Sequence, residues 1–307
     1  MKSRPKVLTI CGPTGSGKTA LALTLAQKYP LEIISADSRQ VYRRMDIGTA
    51  KATVAEQRQA PHHMIDLIDP DQDFSVADFV DRARPLIEAI AQRGHVPCVV
   101  GGTGLYIRAL LGGLAALPEG CQELRNELHA REQLEGAGTL YRELQELDPP
   151  AAAEIHPHNL VRIVRALEVF RLSGRRMSAL KEEHRFADRH YPSLQLACSF
   201  PREELYARID RRAQEMLDAG LVAEVEALAA DYSFALKALQ TLGYREVVRY
   251  LKKEITANEM LEDIRKYTRQ YAKRQLTWFR AQPEIIWVDS TKESGKVIQS
   301  IDNFILR

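Results

Sequence analysis

The sequence predicts an α/β fold interrupted by a block of helices. Three observations predict it. Residues 6 to 19, K-V-L-T-I-C-G-P-T-G-S-G-K-T, set a short apolar strand (Val7 to Cys11) before a glycine loop and a helical apolar run from Ala20 to Ala26. A second strand–glycine turn–helix comes at Val96 to Val100 followed by Gly101, Gly102, Thr103 and Gly104. Residues 120 to 190 then hold charged helical stretches and no convincing strand, which reads as a helical insertion.

The first of these carries the chemistry. Gly12, Gly17, Lys18 and Thr19 fill every fixed position of G-x-x-x-x-G-K-[ST], with Pro13, Thr14, Gly15 and Ser16 between them. A strand, this loop and a helix in that order form a phosphate cradle. Glycines let backbone N–H groups turn inward toward an anion, and the helix start adds unpaired donors and the positive end of its dipole. Lys18 brings a mobile positive charge, and the Thr19 hydroxyl suits Mg²⁺. The loop implies a polyphosphate or pyrophosphate and leaves open whether a phosphate is transferred.

Leu31 to Ala36 reads as a second strand ending at Asp37, in D-S-R-Q-V-Y. Ligands bind at such strand ends in open α/β sheets, although an aspartate there also suits a helix cap. Met45 to Lys51 reads as a loop, and Met64 to Ile68 as a short strand or extended segment. His62 and His63 invite a metal reading that no cysteine or further histidine at ligand spacing supports. Phe74 to Gln92 has helical spacing, with Val76, Phe79, Val80, Ala83, Leu86, Ile87 and Ile90 on one side. Thr103 is the polar side chain of the second glycine turn that can aim into a site.

Inside the helical block, helices are expected at Glu123 to Leu134, Leu140 to Leu147 and Leu160 to Leu172. Arg162 and Arg165 stand one turn apart, which fits a solvated face as well as a binding one. Leu194 to Phe200 returns to strand. Tyr206 to Leu217 is amphipathic, with Arg208 and Arg212 on one face, suited to a phosphate clamp or to solubility. From Ile264 to Arg280 one stripe holds Ile264, Tyr267, Tyr271 and Trp278, and another Lys266, Arg269, Lys273 and Arg280. Basic groups interleaved with aromatics mark an RNA-contacting surface, and also fit a core stripe beside a solvated face. Ile285 to Val288 reads as the last strand.

Composition excludes little but agrees. Of 307 residues, 45% are hydrophobic and 27% charged, ordinary for a globular chain, and the net charge of +2 does not by itself demand nucleic acid. Cys11, Cys98, Cys121 and Cys198 lie far apart without C-x-x-C spacing, which argues against a zinc site or disulfide framework. No signal peptide or membrane span is legible, so a cytoplasmic protein is expected.

The motifs G-P-T-G-S-G-K-T, D-S-R-Q-V-Y with M-D-I-G-T-A-K, V-G-G-T-G-L-Y, R-A-L-E-V-F, L-G-Y-R-E and K-R-Q-L-T-W-F-R appear in that order. Together they resemble the bacterial tRNA dimethylallyltransferase family, also called tRNA isopentenyl-pyrophosphate transferases. The likeness runs from the glycine loop to about Arg280. The loop is shared by many nucleotide-binding proteins, whereas the Asp37 motif and K-R-Q-x-T-W-x-R are far more specific. Gly15 stands where the family commonly has alanine. The chain ends soon after the last predicted strand, without the C-terminal zinc finger of eukaryotic relatives.

This resemblance implies a P-loop-type parallel sheet flanked by helices, with an inserted all-helical domain. Residues 1–112 and 194–307 would form the core with C-terminal tRNA-binding helices, and 113–193 the insertion, also contacting tRNA. The implied reaction moves a dimethylallyl group from dimethylallyl pyrophosphate to N6 of adenosine at tRNA position 37, 3′ of the anticodon, and releases pyrophosphate. Mg²⁺ is the implied cofactor, with Thr19 as its ligand. A monomer that does not touch membranes is expected.

The implied catalytic residues are Asp37, as base for the acceptor amine, with Thr14, Lys18 and Arg212. Gly12, Pro13, Thr14, Gly15, Ser16, Gly17, Lys18, Thr19 and Arg208 would hold the pyrophosphate. Contacts to tRNA would fall on Asp37, Ser38, Arg39 and Gln40, on Thr103 and Arg125, and on Val161, Arg162, Ile163, Val164 and Arg165. They continue at Gln240, Thr241, Leu242, Gly243, Tyr244 and Arg245, and at Lys273, Arg274, Gln275, Leu276, Thr277, Trp278, Phe279 and Arg280. Rival readings are a small-molecule kinase, a prenyl transferase acting on free adenine nucleotides, and a nucleotide-switched RNA-binding protein without chemistry. The kinase reading leaves the basic aromatic segment unexplained, and the helical insertion and that segment speak against the second, since a free nucleotide needs neither.

Overall fold

Every residue of the strand Val7–Cys11 (β1) is buried. Such a strand needs partners on both edges and cover on both faces. The rest of the chain supplies them. The computed structural model describes residues 4–184, 186–289 and 294–306. After β1 come α1 (Lys18–Ala26), β2 (Leu31–Ser35), α2 (Val54–Gln59), β3 (His62–His63), α3 (Val76–Gln92), β4 (Val96–Gly101) and α4 (Gly104–Gly112). Next are α5 (Gln122–Glu135), α6 (Thr139–Leu147), α7 (Pro149–Glu154), α8 (Leu160–Ser173) and α9 (Met177–His184). The chain finishes with β5 (Ser193–Ser199), α10 (Arg202–Asp218), α11 (Leu221–Tyr232), α12 (Tyr244–Leu251), α13 (Ala257–Arg280), β6 (Ile285–Asp289) and α14 (Ser294–Leu306).

The six-stranded sheet runs β3-β2-β4-β1-β5-β6 and is parallel throughout. Ile10 sits opposite Val100 on one side and Leu196 on the other. Leu8, Ile10, Ile33, Cys98, Val100, Leu196 and Cys198 pack with Leu23 and Leu25 of α1 and Val297 and Ile301 of α14. A second core joins α11, α12 and α13 around the segment after β2, through Tyr42, Met45, Val225, Tyr244, Val247, Met260 and Ile264. The glycine loop and Asp37 therefore emerge at the same carboxyl edge of the sheet, as parallel strands require.

One short strand differs from the sequence expectation. Pairing falls on the histidines, His62 with Ile33 and His63 with Ile34, and not on Met64 to Ile68. Met64 and Asp66 adopt positive φ, 63° and 53°, which no strand tolerates. The turn delivers Asp66 to Lys51, whose Nζ lies 2.6 Å from its carboxylate. Of the segment, Ile68 keeps a single bridge to Tyr42. His63 is occupied elsewhere: its Nε2 lies 2.7 Å from Glu32, a 3% exposed carboxylate also bonded by Arg93 (2.6 Å) and His95 (2.8 Å). The bond from Arg93 is the chief reason the Glu32 carboxyl is held down near pKa 2, against the upward push of burial.

The chain divides at Leu111/Gly112 and again at Arg189/His190 into the sheet unit and a helical unit. The helical unit has its own core, including Leu128, Leu140, Leu144, Ile163, Val164 and Leu167. Two of its helices, α7 and α9, lie outside the stretches expected from sequence. α7 carries a local signal, since Asp148 caps it and Pro149 opens it. Asp148 is buried and also accepts the Ser178 N–H at 3.0 Å, tying α7 to α9.

Candidate active site

The loop after β1 is held from three directions. Gly17 ends it at φ 72°, a left-handed conformation that favours glycine, and α1 begins at Lys18. The first amides of α1 consequently have no intrahelical partner and face the loop. Lys18 Nζ donates to Pro13 O at 2.7 Å, and burial pulls its pKa from 10.5 down to about 8. Arg208 of α10 donates from Nε to Gly15 O at 3.0 Å, with its guanidinium stacked 4.5 Å over Phe200. It braces the loop.

The third support comes from far along the chain. Gln275 of α13 accepts the Thr14 N–H at 2.8 Å and donates to Gly102 O at 2.9 Å, bridging the two glycine turns. The Ser16 N–H is likewise taken, by Pro13 O at 3.3 Å. Among the loop residues, Thr14 thus offers a ligand its hydroxyl and not its amide, while Lys18 and Thr19 supply side chains at the start of α1.

These groups open into a cavity of about 680 Å³. Thr14, Lys18 and Thr19 line it from the loop and the start of α1; Asp37, Ser38, Arg39 and Gln40 come from the end of β2. Arg212 of α10 also lines it, its pKa lowered by burial, with Asp37 the carboxylate that chiefly opposes the shift. Asp37 Oδ1 accepts the Arg39 N–H at 2.8 Å, which fixes the carboxylate in a local turn. Thr103 is spent on that same turn, accepting the Ser38 N–H at 3.1 Å, and does not line the cavity. Gln40 is spent as well: it accepts from Ser35 Oγ at 2.8 Å and donates to Thr49 O and Ala50 O at 3.2 and 3.1 Å.

The remaining wall combines Gln240 to Arg245 with Ile264, Tyr267, Thr268, Tyr271 and Arg274 of α13. Arg245 pairs with Glu246 at 2.6 Å and lies 5.1 Å over Tyr267, and Arg274 lies 5.7 Å over Tyr271. Ile209, Ala213 and Met216 of α10 add an apolar face. Sequence reasoning did not single these out, though their i, i+4, i+7 spacing beside Arg208 and Arg212 carries the signal.

Several residues expected at an RNA surface are largely buried. Tyr244, Gln275 and Phe279 are 1%, 7% and 1% exposed. In the helical unit Ile163 and Val164 are buried in its core, because an amphipathic helix cannot present all faces at once. Val161 and Arg162 are exposed there, whereas Arg125 and Arg165 both bind the buried Glu168 carboxylate. Gln240 and Thr241 bond to Phe234 O and Ala238 O within their own segment. On α13, Lys273, Arg274, Thr277, Trp278 and Arg280 remain exposed, with Leu276 partly so.

A glycine-rich loop after β1, a carboxylate at the end of β2 with β4 between the two strands, and a shared cavity with an apolar flank are the parts of a group-transfer site on an α/β fold. Comparison with known proteins narrows this. Residues 40–282 match the family model described as IPP transferase, and residues 5–66 that of isopentenyl transferase. The chain is 50% identical to tRNA dimethylallyltransferase 1 of Syntrophotalea carbinolica, over 98% of this chain and 96% of that protein. It is 47% identical to tRNA dimethylallyltransferase of Geobacter metallireducens, over 99% and 98%. Among solved structures it is similar to the tRNA isopentenylpyrophosphate transferase of Bacillus halodurans, with TM-score 0.72, 40% identity and 99% and 96% coverage. A eukaryotic dimethylallyltransferase acting on tRNA aligns with TM-score 0.82 at 27% identity, covering 98% of this chain and 79% of that one. The chain belongs to the tRNA dimethylallyltransferase family and is an enzyme of it.

Proposed function

We propose that this chain transfers the dimethylallyl group of dimethylallyl pyrophosphate to N6 of adenosine 37 of tRNA and releases pyrophosphate. One observation carries the reading: Lys18, Thr19 and Arg212 share a cavity with Asp37 and with the tyrosines of α13. The bond broken is carbon–oxygen. Negative charge grows on the departing oxygen, where Lys18, Arg212, the Thr14 hydroxyl and the first amides of α1 stabilise it. Each well-aimed donor of this kind contributes about 3 kcal/mol in a transition state. Positive charge spreads over the allyl unit, for which Ile209, Ala213 and Met216 give a wall without nucleophiles.

The acceptor amine loses its proton as the new bond forms, and the Asp37 carboxylate takes it. A hard-oxygen site suits Mg²⁺. The Thr19 hydroxyl would hold the ion together with phosphate oxygens and water, and the bound ion would neutralise pyrophosphate charge. A stacked adenine has to leave its loop to enter, at a cost of a few kcal/mol. Ser38, Arg39, Val161, Arg162, Lys273, Arg274, Trp278 and Arg280 are the tRNA contacts we assign. Among the described residues no helix is long and apolar enough to cross a membrane, and we assign the enzyme to the cytoplasm as a monomer.

The test uses the protein, Mg²⁺ and radiolabelled dimethylallyl pyrophosphate with unmodified tRNA or, separately, AMP. Label in tRNA alone, lost with Asp37→Ala while tRNA binding persists, is the expected result. Label in AMP alone reassigns the acceptor. ATP turnover without prenyl transfer overturns the proposal.

A further inference from the structure

The segment between β2 and α2 forms one wall of the cavity, through Gly48, Thr49 and Ala50. Its sequence, M-D-I-G-T-A-K, contains no regular element to fix its shape. Instead three successive backbone amides converge on one side chain. Asp46 N and Ile47 N donate to Glu224 Oε2 at 3.0 and 2.8 Å, and Gly48 N to Oε1 at 3.2 Å. The same Oε1 accepts the Tyr244 hydroxyl at 2.6 Å. A carboxylate that gathers four donors is a strong, directional anchor.

The anchor joins two walls. Tyr244 lies so close that a Cβ at Gly48 would meet its ring at 2.3 Å, so the loop can reach Glu224 only with bare backbone at that position. On its far side the loop offers Thr49 O and Ala50 O to Gln40, which in turn accepts from Ser35 at the end of β2. A continuous line of hydrogen bonds therefore runs from α11 to the strand end that carries Asp37. Lys51, bound to Asp46, Asp66 and Tyr42 O, closes the other end of the loop. Glu224 itself does not line the cavity.

We propose that Glu224 is a positioning residue for the acceptor base: it sets the 46–50 loop and Tyr244 at the spacing that holds the adenine beside Asp37. This rests on the reading of the cavity as the site of adenosine prenylation. Replacing the carboxylate with an amide puts an NH₂ group against N–H donors that now meet oxygen, and the loop must move.

The experiment measures steady-state transfer from dimethylallyl pyrophosphate to unmodified tRNA for the unaltered chain, Glu224→Gln and Tyr244→Phe, with thermal melts alongside. Glu224→Gln is expected to lower kcat/KM for tRNA by up to about 100-fold, the size of effect that a 1 Å misplacement produces, with KM for the pyrophosphate donor unchanged. Tyr244→Phe, which removes one of the four bonds, should lower the same parameter less. Folded variants with unaltered tRNA kinetics, or a donor KM that rises in step with the tRNA effect, overturn the assignment while leaving the reaction itself standing. An unaltered chain that labels no tRNA overturns the reading of the cavity, and the assignment with it.

Discussion

Lys18 should destabilise the protein it serves. Burial lowers its pKa from 10.5 to about 8. The unfolded chain therefore holds this proton more tightly, and the charged lysine costs folding free energy. That cost is full below pH 8 and fades as pH rises toward 10.5. A gap of about 2.5 units at about 1.4 kcal/mol each gives about 3.5 kcal/mol. Lys18→Met removes the charge at similar volume and also loses the bond to Pro13 O, which contributes about 1.5–3 kcal/mol. At neutral pH the two nearly cancel, leaving a net gain of at most about 2 kcal/mol. The sharper signature is in pH. Between pH 7.5 and 9.5 the unaltered chain should gain about 2 kcal/mol relative to Lys18→Met. Urea unfolding of both chains at the two pH values measures this, and transfer assays should show turnover lost in the stabilised variant. A stability difference that does not change with pH would refute the reasoning.

Other expectations follow from the same geometry. Arg212→Met should lower kcat by about 10²–10³-fold, in the range seen for a lost charge-stabilising donor, with tRNA binding by gel shift unchanged. Gln275→Ala leaves the Thr14 N–H and Gly102 O without their partners and should cost about 1–3 kcal/mol in urea unfolding. Gly48→Ala drives a methyl group into the Tyr244 ring and should cost about 1–3 kcal/mol by the same measurement. Glu32, held near pKa 2 chiefly by Arg93, stabilises the fold above pH 4.5, and about 3 kcal/mol is lost as pH falls from 4.5 to 2. Glu32→Gln should flatten that limb of the acid-unfolding curve.

What was legible in the sequence was whatever chemistry is local. Gly12 to Thr19 announce a phosphate loop because strand, glycines and helix must be contiguous to make one, and Val96 to Val100 read as a buried strand because parallel strands are apolar on both faces. The stripe of Tyr267 and Tyr271 was visible as a helical period, and both residues line the cavity. What stayed hidden depends on contacts across the chain. Gln275 reads as one more polar residue in a basic helix until Thr14 and Gly102 are brought to it. Arg125 and Arg165 look alike with Arg162, yet two of the three bind Glu168. Glu224 sits in an unremarkable helix, and only the fold brings three loop amides to it.

The strand order also sets a timetable for synthesis. β1 is translated first but lies between β4 and β5, and β5 begins only at Ser193. A growing chain that has reached the end of β4 can pair one side of β1 and leaves the other side bare, the kind of edge that recruits foreign strands. The groups that brace or complete the phosphate loop emerge later still: Arg208 and Arg212 on α10, and then Gln275 on α13. A chain cut short between β4 and β5 would thus carry the whole glycine motif without Arg208, Arg212 or Gln275, and would meet the cell's quality-control machinery with the central strand half unpaired.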